Sequence, residues 1–341
     1  MTSEQSERSV WQVLAPLIDL VTPMAIRVAA TLRLADLMAG GVEHVDELAE
    51  RTGTDSDALR RLLRHLTRHG VFAEPMPGRF TTNETADLLR SDHPSRMRVW
   101  LDLDGFGGRM DLAFTGLLHT VRTGQPAWET VFGAPFWDHL AADPAMAASF
   151  DATMAASTRM AAATGYDWSG VRHVVDVGGG TGALLAEVLR ANPAIRATLV
   201  DLPNTVARGR RLLAEGGLEG RCEFAGQSFF DPLPPGGDVY LLSAVLHDWA
   251  DEPATAILRR CAQAVDQTGR VVIVESYGPA DEVSAMVTEM DLRMLVLCGG
   301  GERRLDDYDT LAKAAGLRVA DVRTVVSGHV LIECRPARHS S

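Results

Sequence analysis

His247, Glu275 and Glu302 are of the residue types that carry protons, and each closes a short run suited to a strand or a turn. His247 follows Asp238–Ser243, Glu275 ends Arg270–Glu275, and Glu302 ends the glycine-rich stretch Gly299–Glu302. An imidazole with an ordinary pKa of ~6.5 takes a proton from a hydroxyl at neutral pH when a carboxylate fixes its tautomer and stabilises its cation. Open α/β sheets gather ligands at the carboxyl ends of their strands, where His247 is expected. It is the candidate general base. Asp248 has two roles open to it: capping the helix expected around Glu252–Ala264, or supporting the site.

A second constellation lies earlier in the chain. Asp176-Val177-Gly178-Gly179-Gly180-Thr181-Gly182 follows an apolar strand and opens a helix over Ala183–Ala191. Glycines there let the backbone turn sharply and approach a ligand with no Cβ in the way. The spacing G-x-G-x-G lacks the last glycine of the dinucleotide pattern G-x-G-x-x-G, because position 183 is alanine, and this argues against NAD. Nineteen residues past Gly182, at the end of the next strand, Asp201 is placed to accept hydrogen bonds from both ribose hydroxyls of a nucleoside. Loop and carboxylate agree on a nucleoside ligand.

These residues need a scaffold, and the chain changes texture to provide one. After Tyr166, β-rich runs alternate with helical stretches: His173–Val177, Arg196–Asp201, Cys222–Ala225, Asp238–Ser243 and Arg270–Glu275. The alternation predicts an α/β fold with a mainly parallel, Rossmann-like sheet; Leu317–Val325 and Gly328–Glu333 add an antiparallel edge hairpin, making seven strands. From Val10 to about Leu140 the pattern is helical, as in Leu59, Leu62, Leu63 and Leu66 with Arg60, Arg61, Arg64 and Arg68 between them. Within it, Val45–Leu89 has a winged-helix outline. The expected domains are 1–165, helical and winged-helix-like, and 166–341, with the boundary in or just after a helix over Ala145–Ala163. Leu17, Leu20, Val21, Met24, Val28 and Leu32 give Leu14–Met38 more apolar surface than one helix buries internally, which predicts a homodimer.

Val174–Gly182, Val200–Pro203, Gly226–Pro234, Ser243–Trp249, Asp291–Leu295 and Gly300–Arg303 stand in the order of motifs that nearly the whole chain shares with one family. The chain resembles the class I S-adenosylmethionine-dependent small-molecule O-methyltransferases, caffeate-type enzymes in particular, and among them the antibiotic-tailoring members of actinobacteria. The resemblance implies S-adenosylmethionine as cofactor and an aromatic, polyketide-type acceptor. Gly178 and Gly180 would face the methionine part, Asp201 would hold the ribose, Ser228 and Phe229 would border the adenine, and Leu202 would also contact the cofactor. Ser243 would contact the methionyl end. Plant members carry an acidic residue at the position of Ser228 and a lysine at that of Ser243; the serines are similar to those of the antibiotic subgroup. By type alone Phe229 and Phe230 read as core residues, and only the motif assigns Phe229 to the cofactor. The resemblance also implies that Glu275 and Glu302 bracket His247 as the catalytic set. Phe136, Trp137, Phe150, Met154, Met290, Asp291 and Met294 would line the acceptor slot, with the helical half building the dimer and closing over the partner's site. A sulfonium cofactor is itself a strong methyl donor, so alignment alone would supply much of the acceleration.

Thirty-three basic residues against 45 acidic ones give a net charge of −12, which disfavours nucleic acid and anionic membranes as partners. A winged-helix DNA-binding regulator is therefore a disfavoured rival, since residues 1–100 hold 12 arginines against 14 acidic residues. A second rival keeps the scaffold for a hydroxylase- or decarboxylase-like reaction. No compact Asp/Asn cluster suggests a metal, so none is expected. Apolar runs are read as stopping well short of the ~20 residues that span a bilayer, and the polar start MTSEQSERS lacks a signal layout, so a cytoplasmic protein with no membrane partner is expected. Cys222, Cys261, Cys298 and Cys334 are widely spaced and predict reduced thiols.

Overall fold

A computed structural model of the chain describes residues 10–155, 165–276, 285–325 and 329–337. The polar start and the later part of the expected helix Ala145–Ala163 lie outside the described residues. By compactness the chain divides into two units, Met1–Asp111 and Leu112–Ser341.

The first unit begins with α1 (Val10–Ile18), α2 (Val21–Thr31), α3 (Leu34–Ala39), α4 (Val45–Thr52) and α5 (Ser56–Arg68). Gly53, at φ 66°, ends α4 in the left-handed conformation, and Asp55 caps α5 by accepting from the Ala58 N–H at 2.8 Å. The buried face of α5 is Leu59, Leu63 and Leu66. Three of its four arginines are locally paired: Arg60 with Asp46, Arg61 with Asp57, Arg64 with Glu74. The hairpin β1 (Ala73–Met76) and β2 (Arg79–Thr81) follows, then α6 (Glu84–Asp87), α7 (Met97–Leu101) and α8 (Phe106–Ala113). Helix, turn, helix, hairpin is the order expected from the sequence.

Contrary to the expectation, one apolar stretch does not stop short. The stretch Val13–Thr31 is 19 residues long with a mean hydropathy of 1.7, apolar and long enough to cross a membrane by length and composition. Only isolated polar residues, Asp19 and Arg27 among them, interrupt it, which divides it into short apolar runs. Asp19 separates α1 from α2 and accepts from the Val21 N–H at 2.8 Å, and Arg27 pairs with Asp111. Leu17 and Leu20 are 78% and 75% exposed, an apolar stripe with little cover inside its own unit.

The second unit opens with α9 (Leu117–Thr123), α10 (Trp128–Phe132), α11 (Phe136–Ala142) and α12 (Pro144–Ala155). The strands begin at residue 173, so the change of texture expected near 166 falls inside this unit. The early helices are tied into it: the Ala127 N–H donates to the Val296 carbonyl at 2.9 Å, and Arg208 pairs with Asp151 of α12. The sheet elements follow as β3 (His173–Val177), α13 (Ala183–Ala191), β4 (Arg196–Asp201), α14 (Pro203–Glu215), β5 (Cys222–Gly226) and β6 (Val239–Ser243). Then come α15 (Asp251–Ala264), β7 (Arg270–Ser276), α16 (Ala285–Leu297), α17 (Leu305–Ala314), β8 (Leu317–Val325) and β9 (His329–Pro336). The seven strands run in the order β5-β4-β3-β6-β7-β9-β8. The first five are parallel, whereas β9 inserts antiparallel between β7 and β8. This is the expected mainly parallel, Rossmann-like sheet with its antiparallel edge hairpin. Val175, Leu199, Leu241 and Ile273 are fully buried, since helices cover both faces of the parallel part. The chain leaves β3 toward β4 on one side and reaches β6 on the other, opening a crevice at the carboxyl ends of β3, β4 and β6. Cys222, Cys261 and Cys334 are buried free thiols and Cys298 is half-buried.

Candidate active site

The glycine loop leaves β3 with Gly178, Gly180 and Gly182 at φ 70°, 60° and 73°, which an L side chain adopts only with strain. At Gly178 a Cβ would lie 2.8 Å from Val245 Cγ2 and 3.4 Å from the Phe229 ring, so loop, aromatic and Val245 meet at one point. Asp201, at the tip of β4, accepts from the Gly180 N–H at 2.9 Å and the Leu202 N–H at 2.7 Å. Leu202 beside it is exposed. Ser228 accepts from the Phe230 N–H at 3.2 Å, which shapes the turn carrying Phe229, and Ser243 is the last residue of β6.

Whether these residues suit a nucleoside sulfonium is decided by two carboxylates. Asp176 is buried, and among the described residues its Oδ2 has no hydrogen-bond partner. Burial first, and the neighbouring Asp201 second, push its pKa up to about 7. Burial also raises Asp201 against the hydrogen bonds from Gly180, Leu202 and Thr205. A buried and a half-buried acid, both held above their usual range, favour a cationic guest, and the glycine cradle admits its backbone-hugging part. The fit is good.

The second cluster lies at the ends of β6 and β7. After β6, Ala244 takes φ 52°, an uncommon conformation for a residue with a Cβ, and turns the chain into a 3-10 turn over Leu246–Asp248. Glu275, fully buried at the end of β7, accepts from the Val245 and Leu246 N–H groups at 3.2 and 2.9 Å and pins that turn. His247 is 5% exposed. Its Nδ1 lies 3.0 Å from Glu302 Oε1 and 3.7 Å from Glu275 Oε2, while Nε2 lies 3.5 Å from Asp248 Oδ1. Burial opposes a charge on the imidazole, but Glu275, Asp248 and Glu302 together outweigh it and raise the pKa to about 9. Donation from Nδ1 to Glu302 leaves Nε2 as the proton-accepting nitrogen.

Asp248 therefore belongs to the cluster, and Ala250, the residue before α15, gives that helix no side-chain cap. The loop that carries Glu302 is packed against the same turn. The Gly301 N–H donates to the His247 carbonyl at 2.8 Å, and a Cβ on Gly300 would lie 2.0 Å from that oxygen. Asp291 accepts from the Glu302 N–H at 2.8 Å, which holds the residue whose carboxylate contacts His247.

Aromatic residues assemble beside the turn. Trp137 stacks on Trp249 with centroids 6.1 Å apart and planes 8° from parallel. Phe136 and Phe150 meet Trp137 edge-on, and Phe229 and Phe230 meet Trp249 the same way. Met154 lies one turn after Phe150 on α12. Met290 and Met294 lie one turn apart on α16, Met294 being buried. Such a wall suits a flat apolar ring system.

A family model for the O-methyltransferase domain matches residues 114–318, and one for the O-methyltransferase dimerisation domain matches residues 17–92. The chain belongs to the O-methyltransferase family. It is 46% identical over 309 residues to 2,7-dihydroxy-5-methyl-1-naphthoate 7-O-methyltransferase of Streptomyces carzinostaticus, covering 90% of this chain and 92% of that one. It is equally 46% identical over 331 residues to aclacinomycin 10-hydroxylase of Streptomyces purpurascens, covering 94% and 88%. The solved structure of an O-methyltransferase from neocarzinostatin biosynthesis, in complex with S-adenosylmethionine and 2-hydroxy-5-methyl naphthoic acid, superposes with a TM-score of 0.88 at 43% identity, covering 94% of this chain and 98% of that one.

In this O-methyltransferase the matched dimerisation region contains the exposed Leu17, Leu20 and Val21, in keeping with the expected homodimer. Three residues of the site were missed by sequence reasoning. Val245 fills the space above Gly178. Trp249 was read only as part of a motif. Arg303 was too, yet it donates to the Leu246 and Trp249 carbonyls, both at 2.6 Å, and so clamps the turn on either side of His247. A lone arginine after a glycine loop carries no signal of such a role, because its acceptors are backbone oxygens.

Proposed function

We propose that this O-methyltransferase acts in the cytoplasm on a hydroxyl of an aromatic, polyketide-type secondary metabolite, with His247 as general base and Glu275 and Glu302 as its supports. The observation that carries this reading is the buried imidazole held through Nδ1 by Glu302, two residues before Trp249 of the aromatic wall. S-adenosylmethionine, when bound, supplies an electrophilic methyl group on a sulfonium. Gly178 and Gly180 leave room for its methionine part, Asp201 and Leu202 receive the ribose, and Phe229 with Ser228 and Ser243 flanks the remainder. In the same reading, Phe136, Trp137, Phe150, Met154, Met290 and Met294 hold the acceptor ring. Residues 1–165 serve dimerisation and closure over the acceptor, and 166–341 hold the cofactor.

The proton step follows from the pKa. A phenol near the tyrosine value of ~10 gives its proton almost isoenergetically to a base whose conjugate acid sits at about 9. The same carboxylates keep the imidazole protonated at neutral pH, so turnover rises as pH climbs toward about 9. An acceptor that arrives ionised bypasses the requirement and pairs directly with the imidazolium.

The equal identity to a hydroxylase favours one second reading, in which the same cofactor site serves oxygenation. Incubation with methyl-labelled S-adenosylmethionine and a panel of hydroxylated naphthoates and anthracyclines separates the two. Labelled product in step with S-adenosylhomocysteine supports methyl transfer; an oxygenated, unlabelled product contradicts it.

A further inference from the structure

Phe150 and Asp151 are consecutive on α12 yet keep different company, because successive side chains of a helix point about 100° apart. Phe150 meets Phe136 and Trp137 edge-on, with centroids 5.9 and 6.2 Å apart, and so stands in the aromatic wall. Asp151 turns instead to α14, the helix that follows Asp201, and takes Arg208 in a two-pronged pair: Nε lies 2.5 Å from Oδ2 and Nη2 lies 3.3 Å from Oδ1. Most of both side chains is buried. Arg210 of the same helix shows the contrast, since its pair with Glu219 leaves both side chains about half exposed, and such pairs contribute little.

Arg208 also reaches the cofactor side. Its Nη2 lies 3.4 Å from Thr205 Oγ1, and the Thr205 hydroxyl donates to the Asp201 carboxylate, which in turn accepts from the Gly180 N–H of the glycine loop at 2.9 Å. Its Nη1 donates to the Asn204 carbonyl at 3.2 Å, which holds the fork against its own helix. One guanidinium thus joins the acid placed at the ribose to the helix that carries Phe150. We propose that Arg208 is a positioning residue for the acceptor wall: it docks α12 on the cofactor helix, so that filling the cofactor site firms up the wall. A ligand held by Asp201 fixes that carboxylate and, through Thr205 and Arg208, narrows the motion of α12. By linkage, a filled acceptor slot tightens the cofactor site by the same factor. Methyl transfer needs the acceptor oxygen at near-attack distance from the sulfonium, so a wall that settles on a loaded cofactor site favours productive encounters. The inference rests on Asp201 facing the cofactor and Phe150 lining the slot, and the experiment separates these from the role of Arg208.

Hydrogen exchange of the full chain, read by mass spectrometry with and without S-adenosylhomocysteine, is the test. In the wild type the ligand should slow exchange in the glycine-loop peptide and, about fivefold or more, in the peptide spanning α12. In Arg208→Met the glycine loop should still be protected at saturating ligand, whereas the slowing at α12 should fall below about twofold. Asp151→Asn keeps the side-chain shape without the charge and should give the same loss, so the outcome does not depend on Arg208→Met folding well. Arg208→Lys keeps the charge without the fork and should retain part of the slowing. A merely structural pair would speed exchange at α12 equally with and without ligand. An unchanged ratio in Arg208→Met or in Asp151→Asn therefore overturns the role of Arg208, and wild-type protection confined to the glycine loop overturns the coupling. A wild-type glycine loop that gains no protection overturns instead the cofactor reading on which the inference rests.

Discussion

Two buried acidic regions lie at the carboxyl ends of the same sheet and respond oppositely to burial. At β3 and β4, Asp176 and Asp201 are raised because desolvation dominates, and the charge of Asp201 adds to the cost of ionising Asp176. At β6 and β7, three carboxylates surround an imidazole, and it is the cation that is favoured, despite full burial. The first region is an acidic host suited to a positive guest; the second already contains its counter-ion. Burial alone does not set the direction of a pKa, because the sign depends on whether a partner of opposite charge is enclosed with the acid. A cofactor site must give up its partner at every turnover, whereas a base must keep the groups that orient it.

The largest expected effect breaks the second region. His247→Ala should lower turnover on a weakly acidic phenol by roughly 10²–10⁴-fold, the range of a positioned base, while calorimetry finds S-adenosylhomocysteine affinity nearly unchanged. Next, Asp201→Ala should weaken cofactor binding about 10–100-fold, since it removes acceptors for charge-assisted hydrogen bonds worth ~1.5–3 kcal/mol each; equal affinity by calorimetry would sink the ribose assignment. Gly178→Ala comes third. Its Cβ would press on Val245 at 2.8 Å from a left-handed backbone, so affinity should fall roughly tenfold with less change in saturated turnover, in line with ~1–3 kcal/mol of strain. The smallest effect sharpens the contrast between the regions. A cationic guest favours ionised Asp176, so affinity for S-adenosylmethionine should increase as pH rises through about 7 and then level off, and Asp176→Asn should flatten that dependence.

The two regions also differed in how much of them could be read in advance. The sheet was legible because its strands are short apolar runs separated by helices; six of the seven stand within a residue or two of their expected places, while the last, expected over Gly328–Glu333, runs on to Pro336, and Gly328 lies outside the described residues. Gly178, Gly180 and Asp201 were legible because spacing along the chain sets their geometry. His247 and Glu302 were legible through motif order. The groups that hold the His247 turn were hidden, since Arg303 acts on backbone oxygens and Asp291 on a backbone N–H. No side-chain pattern records such partners. The run Val13–Thr31 was misjudged because single polar residues break its periodicity without lowering its mean hydropathy.

The central claim is that His247 in its neutral form accepts the acceptor's proton. The most direct measurement is the pH dependence of single-turnover methyl transfer to a weakly acidic phenol, wild type against His247→Ala. The account predicts a wild-type rate that climbs with pH toward a midpoint near 9, and a mutant that is slow at neutral pH and rises only as the phenol itself ionises. Coincident profiles for the two proteins, at similar rates, would contradict it and leave alignment of the reactants as the source of catalysis.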